Sequence, residues 1–378
     1  MPTDSVRQLV LRARDLTAFS AKGIACSTHP HRPRVSWLGR LLSLLAVTTA
    51  IVPLFSGARS AAPAVAAAPS LAALPSPGAA GIGDPYDPLL GNGGYDVLHY
   101  TLDLDLDVEA GSILQGIATI EALATQSLST FNLDYRGPTI AAIAVDDVPA
   151  RWRRESGELI ITPAAPLEVG GAFTVVVRYA GMPESGEDRL TRGWWASGTA
   201  IATIGEPTGA EVWYPVNGHP LDKATYTLSI TVSEPYDVVA NGRLVSMAEA
   251  TRAGDRPSTR TFVWENRYPT ASYLVTFHAA DLEVTRRPGP LGITLLEAVP
   301  PDLSRRERRA FARVPQMLTR FAQWFGPYPF AAFGGTVLED TAFDAALETQ
   351  ELVTYDRSTL AESKVAHELA HQWFGNSV

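Results

Sequence analysis

Cysteine is almost absent from this chain of 378 residues: Cys26 is the only one. A single thiol closes no intramolecular disulfide, which excludes a small disulfide-stapled scaffold. Long apolar runs are scarce as well. The stretch from Leu41 to Phe55 is apolar over about 15 residues, short of the roughly 20 that span a bilayer as a helix. With an arginine ahead of it and small residues at Ala58 and Ala61 behind, it reads as a secretory signal rather than a permanent anchor. Export, secreted or at the cell surface, is the expectation, with membrane attachment only through that segment if it stays uncleaved. Cys26 lies upstream of it, so the mature chain would carry no disulfide and no lipid-bearing thiol. The leader is long, and a true start near Val35 would account for its length. Basic charge is also missing where it would matter most. Residues 1–60 hold eight Lys/Arg against two Asp/Glu, whereas the rest of the chain holds 23 against 38. An acidic body without a Lys/Arg cluster argues against nucleic acid as a partner. It suits positively charged substrates, and it equally suits plain solubility.

What is present is ordinary globular material, 46% hydrophobic and 19% charged, enough for a sizeable core. Residues 1–60 form the leader and signal segment. Residues 61–85, rich in Ala, Pro and Ser and without periodicity, form a linker. In "GNGGYDVLHYTLDLDLDV" the residues Leu98, Tyr100, Leu102, Leu104, Leu106 and Val108 alternate with polar ones, the pattern of a half-buried strand. "AFTVVVRYAG", "TYTLSITVSE", "TRTFVWEN" and "SYLVTFHAADLEV" follow in the same style, with Tyr226, Leu228, Ile230 and Val232 on one face of the second. Gly/Pro/Asp-rich turns separate them. Residues 86–288 are therefore expected to form an antiparallel β-sandwich or saddle-like sheet domain. The period then changes. Phe311, Val314, Leu318, Phe321 and Phe325 recur at helical spacing, Pro315 kinks or splits the helix, and Gly326 with Pro327 ends it. An α-rich domain thus starts near 289 and runs to 378. No internal repeat is visible.

The last helix-like stretch, "VAHELAHQWFGNSV", holds His367, Glu368 and His371 in an H-E-x-x-H pattern. On a helix two histidines four apart project from one face and converge on one ion. Glu368, one step round, reaches a water on that ion rather than the ion itself. Thr359 and Glu362 match a capping box, which sets the helix start at Leu360. Gly375 suits its end after Phe374. Val365, Leu369 and Trp373 lie on another face, fit to bury.

"HELAHQWFGNSV" resembles the zinc helix of the membrane alanyl aminopeptidase (aminopeptidase N) family of gluzincin metallopeptidases. "GNGGYDVLHYTLDLDLD" and "GEPTGAEVWYPVNGHPLDKATYTLSITV" are similar to its opening strand and to a later sheet segment. The likeness runs from about Asp84 to Val378 in matching order, and it is to the bacterial members above all. It implies an α+β multidomain fold, a β-sheet domain followed by the start of a thermolysin-like catalytic domain. It implies one zinc ion held by His367 and His371, with Glu368 as the catalytic acid–base, and peptide substrates with a free N-terminus. The family's G-A-M-E-N segment reads Ala345-Ala346-Leu347-Glu348-Thr349 here, keeping only the glutamate. Glu348 inherits the role of gripping the substrate amine. Glu206 in "TIGEPTGA" matches a second amine anchor, although Ile204 stands where the family has glutamine, and a merely solvated Glu206 stays open beside that role.

The resemblance places a third zinc ligand and an oxyanion-stabilising tyrosine beyond Val378. The expectation is a chain cut at its metal helix, inactive alone, with the core for Leu369 and Trp373 in the missing part. A non-catalytic peptide-binding module and a gene fragment without its own role are the competing readings. The preferred N-terminal residue and the oligomeric state are not legible.

Overall fold

The structure is a computed structural model that describes residues 74–184, 193–251, 257–339 and 344–377. The leader, the apolar segment at 41–55 and most of the Ala/Pro-rich linker lie outside the described residues.

Alternating sequence becomes a large twisted sheet. Its eight strands run in the order Arg243–Ala250, Thr259–Thr270, Ala224–Ser233, Tyr95–Asp107, Ser112–Ala124, Ala172–Gly181, Thr139–Val145 and Val148–Pro149. Neighbours are antiparallel except Ala224–Ser233, which lies parallel to Tyr95–Asp107 with Tyr226 opposite Tyr100. Those two rings stack with centroids 4.9 Å apart. The expected inward face of Ala224–Ser233 is the observed one, since Tyr226, Leu228, Ile230 and Val232 are all fully buried. In the first long strand one residue departs from the alternation. A register shift between Val97 and His99 turns Leu98 outward and buries Val97 instead. Such a bulge inserts one residue into the pleat and so flips everything on one side of it.

A second sheet joins Gly193–Ala196, Ala200–Ile204, Phe277–Ala280 and Asp237–Ala240. A third, mixed sheet runs Glu283–Pro288, Thr294–Val299, Ala332–Leu338, Leu352–Asp356, Ala346–Leu347. The stretch read as one strand, "SYLVTFHAADLEV", is thus a 3-10 turn at Ser272–Leu274 followed by strands in two different sheets.

Against the third sheet pack two helices. Pro315 splits the first as its chemistry requires: a 3-10 turn at Arg308–Phe311 precedes helix α1, Val314–Phe325, with Pro315 in the first turn, where a missing N–H costs nothing. Helix α2 spans Glu362–His371. The capping box is not formed. Ala361 is the N-cap, and the Thr359 hydroxyl donates to the carbonyls of Ala345 and Asp356, at 3.0 and 3.2 Å. Asp356 ends a strand and caps its own 3-10 turn by accepting from Ser358 N–H, which uses up the residues expected to open the helix. Glu362 pairs with Arg313 instead. The α-helix also ends earlier than expected. Gln372–Asn376 form a wider π turn, broken by Phe374 at ψ 100° and Gly375 at φ 117°, a left-handed value that favours glycine.

Leu369 and Trp373 need no missing partner. Together with Val365 they are buried in a core shared with Phe311, Leu318, Val337, Val353 and Tyr355. Trp373 meets Phe321, Phe325 and Tyr328 edge-on, and its indole N–H donates to the carbonyls of Gly326 (3.2 Å) and Pro327 (3.1 Å). The carbonyls left over at the end of α1 are the acceptors, so the two helices close each other's polar accounts.

Candidate functional site

One turn of α2 brings the imidazoles of His367 and His371 together with their Nε2 atoms 3.2 Å apart. On His371, Nδ1 lies 3.1 Å from the Phe374 carbonyl. A carbonyl only accepts, so the proton sits on Nδ1 and Nε2 presents a lone pair to its neighbour. Two nitrogens bound to one tetrahedral zinc at about 2.0–2.1 Å stand roughly 3.3 Å apart. The donor set therefore fits a zinc-sized ion, and the Phe374 carbonyl supplies the outer hydrogen bond that metal-binding histidines commonly make. Among the described residues, His367, Glu368 and His371 form a group whose ligand atoms all lie within 4.8 Å of one another.

Glu368 is 3% exposed and its carboxyl accepts no hydrogen bond from the described residues. Burial, reinforced by the charges of Glu348 and Glu206 and opposed by His371 and Lys364, pushes it up to about 7. His367 is pushed below its usual value, by desolvation first and then by His371. An acid whose oxygens accept no hydrogen bond from the described residues, beside two imidazoles, is equipped to take a proton from a water and return it.

Glu348 follows the short edge strand Ala346–Leu347 and is half-buried, its side chain without a hydrogen-bonding partner among the described residues. It acts on the same groups, disfavouring ionisation of Glu368 and Glu206 and favouring protonation of His367. Glu206 follows the strand Ala200–Ile204 at an exposed rim, and partial desolvation, then Glu348, raises its carboxyl. Gly205 makes this approach possible, because a side chain there would meet the Tyr273 carbonyl at 2.3 Å. All five residues singled out in the sequence are thus close enough to act on one another's charge.

Sequence reasoning missed several neighbours. Tyr273, read as part of a strand, faces Glu348 and Glu206, and burial with those charges drives its hydroxyl well above the usual range. Gln372 and Asn376, both fully buried, donate their side-chain amides to the Glu348 carbonyl at 3.2 and 2.7 Å. The available signal was two amides, four residues apart, on a helix end otherwise apolar and aromatic.

Residues 96–274 match the family model described as the Peptidase M1 N-terminal domain. A solved two-domain M1 zinc metallopeptidase bound to L-arginine shares 30% identity, covers 79% of this chain and 68% of its own, and superposes with a TM-score of 0.71. The M1 zinc metallopeptidase of Deinococcus radiodurans gives 29% identity, 78% and 68% coverage and a TM-score of 0.70. Human glutamyl aminopeptidase is 29% identical over 193 residues, 47% of this chain and 20% of that protein. Human endoplasmic reticulum aminopeptidase 1 is 26% identical over 254 residues, 58% of this chain and 25% of that protein. The matches thus span only a fifth to a quarter of these curated relatives. Among the described residues no helix is long and apolar enough to cross a membrane.

Proposed function

Because the chain belongs to the M1 family of zinc metallopeptidases, we propose that it forms the amine-recognition and metal-helix part of a zinc-dependent aminopeptidase acting on peptides with a free N-terminus. The observation that carries this reading is the pair of Nε2 atoms 3.2 Å apart beside a buried Glu368 whose carboxyl has no hydrogen-bonding partner among the described residues. Zinc, when bound, supplies a Lewis acid and lowers the pKa of a water toward about 7. His367 and His371 hold it. Glu368 accepts the proton of the attacking water and delivers it to the leaving amine. Glu348, with Glu206 at the rim, offers carboxylates to a substrate ammonium, which fixes how far the scissile bond lies from the chain terminus. Exopeptidase specificity follows from that distance.

In this reading residues 86–288 supply the amine-facing sheet domain and residues 289–378 the opening of the catalytic domain. A catalytic zinc takes three protein ligands, and among the described residues only two histidines are free to serve, the nearby glutamates having other tasks. The 378-residue chain is therefore expected to bind zinc and to hydrolyse little by itself. That shortage also favours a second reading, a peptide-binding module without turnover. Export rests on the apolar segment at 41–55.

Elemental analysis and hydrolysis of aminoacyl amides of Ala, Leu and Arg separate the outcomes. The chain should carry about one zinc. His367→Ala should lose it, and Glu368→Gln should keep it while abolishing any turnover. Undiminished zinc in a His367→Ala/His371→Ala double variant would sink the reading.

A further inference from the structure

The loop that carries Glu348 is fastened from two sides. From the sheets, Asn241 donates to the Gln350 carbonyl at 2.6 Å and to the Leu274 carbonyl at 3.1 Å, while accepting from Thr276 N–H. Gln350 donates its side-chain amide to Thr270 and its backbone N–H to Leu274. From the end of the metal helix come the two amides that sequence reasoning overlooked. Gln372 donates to the Glu348 carbonyl and accepts from the Glu351 N–H at 3.0 Å, and Asn376 donates to the same Glu348 carbonyl at 2.7 Å. Lys223 in turn donates to the Asn376 carbonyl at 3.0 Å. Asn241, Thr349, Gln350, Gln372 and Asn376 are each fully buried. Glu351 is held at φ 63°, a left-handed value that a residue with a side chain keeps only when its surroundings enforce it.

Gln372 directly follows His371 in the chain, and Asn376 lies one turn further. The groups that fix the backbone of Glu348 therefore sit on the segment that presents the metal-binding nitrogens. We propose that Gln372 and Asn376 are positioning residues that set the distance between the Glu348 carboxylate and the histidine pair, and so select ligands whose free α-amine lies one residue from the metal-binding group. The Glu348 side chain forms no hydrogen bond of its own among the described residues, so its place is determined through its backbone. This inference rests on the reading of Glu348 as the amine anchor.

The test measures binding, by calorimetry on the zinc-loaded chain, of L-leucine hydroxamate and its N-acetyl derivative. Both hydroxamates engage the metal, and only the first offers an ammonium. The wild type should prefer the free amine about tenfold, and Glu348→Gln should bring the ratio close to one. The near-isosteric double variant Gln372→Met/Asn376→Leu should lower the ratio about fivefold or more, with the N-acetyl compound bound within about twofold of wild type. A wild-type chain without preference, or a preference that survives Glu348→Gln, refutes the amine-anchor reading and the proposal with it. If both controls behave and the double variant keeps the wild-type ratio, the positioning role alone is overturned. Equal loss of both hydroxamates in Gln372→Met and in Asn376→Leu taken singly would mark the two amides as merely structural and overturn it too.

Discussion

Glu351 and Glu368 are both 3% exposed, and their surroundings assign them opposite tasks. The Glu351 carboxylate accepts from the N–H groups of Ala331 and Ala332, at 3.1 and 3.0 Å, and braces the turn before a central strand. Among the described residues nothing donates to the Glu368 carboxyl, which suits the proton-transfer role proposed for it. Burial raises the Glu351 carboxyl to about 7, the two N–H bonds only partly offsetting it. For an acid whose folded value exceeds its unfolded value of 4.5, the folded state binds the proton more tightly. Its contribution is greatest below about pH 4.5, declines as pH rises toward 7, and is flat above. Asp134 and Asp222, also raised to about 7 by burial, act in the same direction. Glu351→Gln, which keeps the accepting oxygen, should therefore flatten the pH dependence of stability by up to about 3 kcal/mol between pH 4.5 and 7. Urea unfolding midpoints across that range would check it, and parallel wild-type and variant curves would contradict the assignment.

At the scale of elements, α2 is where sequence and structure agree least at the ends and most in the middle. Periodicity identified Val365, Leu369 and Trp373 as the buried stripe, because which face a helix buries depends on spacing alone. Its ends depended on competition. Thr359 had two carbonyls within reach, those of Ala345 and Asp356, and took them instead of capping. No local pattern reveals that Ala345, fourteen residues earlier, will be alongside. The same limit hid the partners of Gln372 and Asn376, whose type was visible and whose acceptors were brought near only by the sheet. The His367–Glu368–His371 spacing was fully legible, since all three sit on a single turn. Two substitutions test the interior. Leu369→Ala should destabilise by about 2–5 kcal/mol. Trp373→Phe keeps most of the buried ring but removes the N–H shared by Gly326 and Pro327, and should cost about 1–2 kcal/mol. A Trp373→Phe variant as stable as wild type in thermal unfolding would show that those carbonyls find water instead.

For the molecule as a whole, the candidate site draws its residues from different sheets and a helix. Glu206 comes from the end of a strand in the second sheet, Glu348 from the edge of the third, and the histidines from the helix packed on that third sheet. Zinc should consequently stabilise the fold rather than one segment. At a concentration about a hundredfold above its Kd it should add about 2.7 kcal/mol, read as a rise in Tm that chelator reverses and that His367→Ala abolishes. Asn241, which ties the 3-10 turn at Ser272–Leu274 to the Glu348 loop, should matter for the same reason. Asn241→Leu removes two donated bonds and leaves the Thr276 N–H without its acceptor, a loss of about 1–3 kcal/mol measurable by the same unfolding curves. The fastening of residues 348–351 has a last consequence for how such a protein can change. With backbone groups claimed at Glu348, Gln350 and Glu351, inserting or deleting a single residue throws every later bond out of step. Drift over generations, or redesign at the bench, is thereby confined to swapping side chains along a segment of constant length.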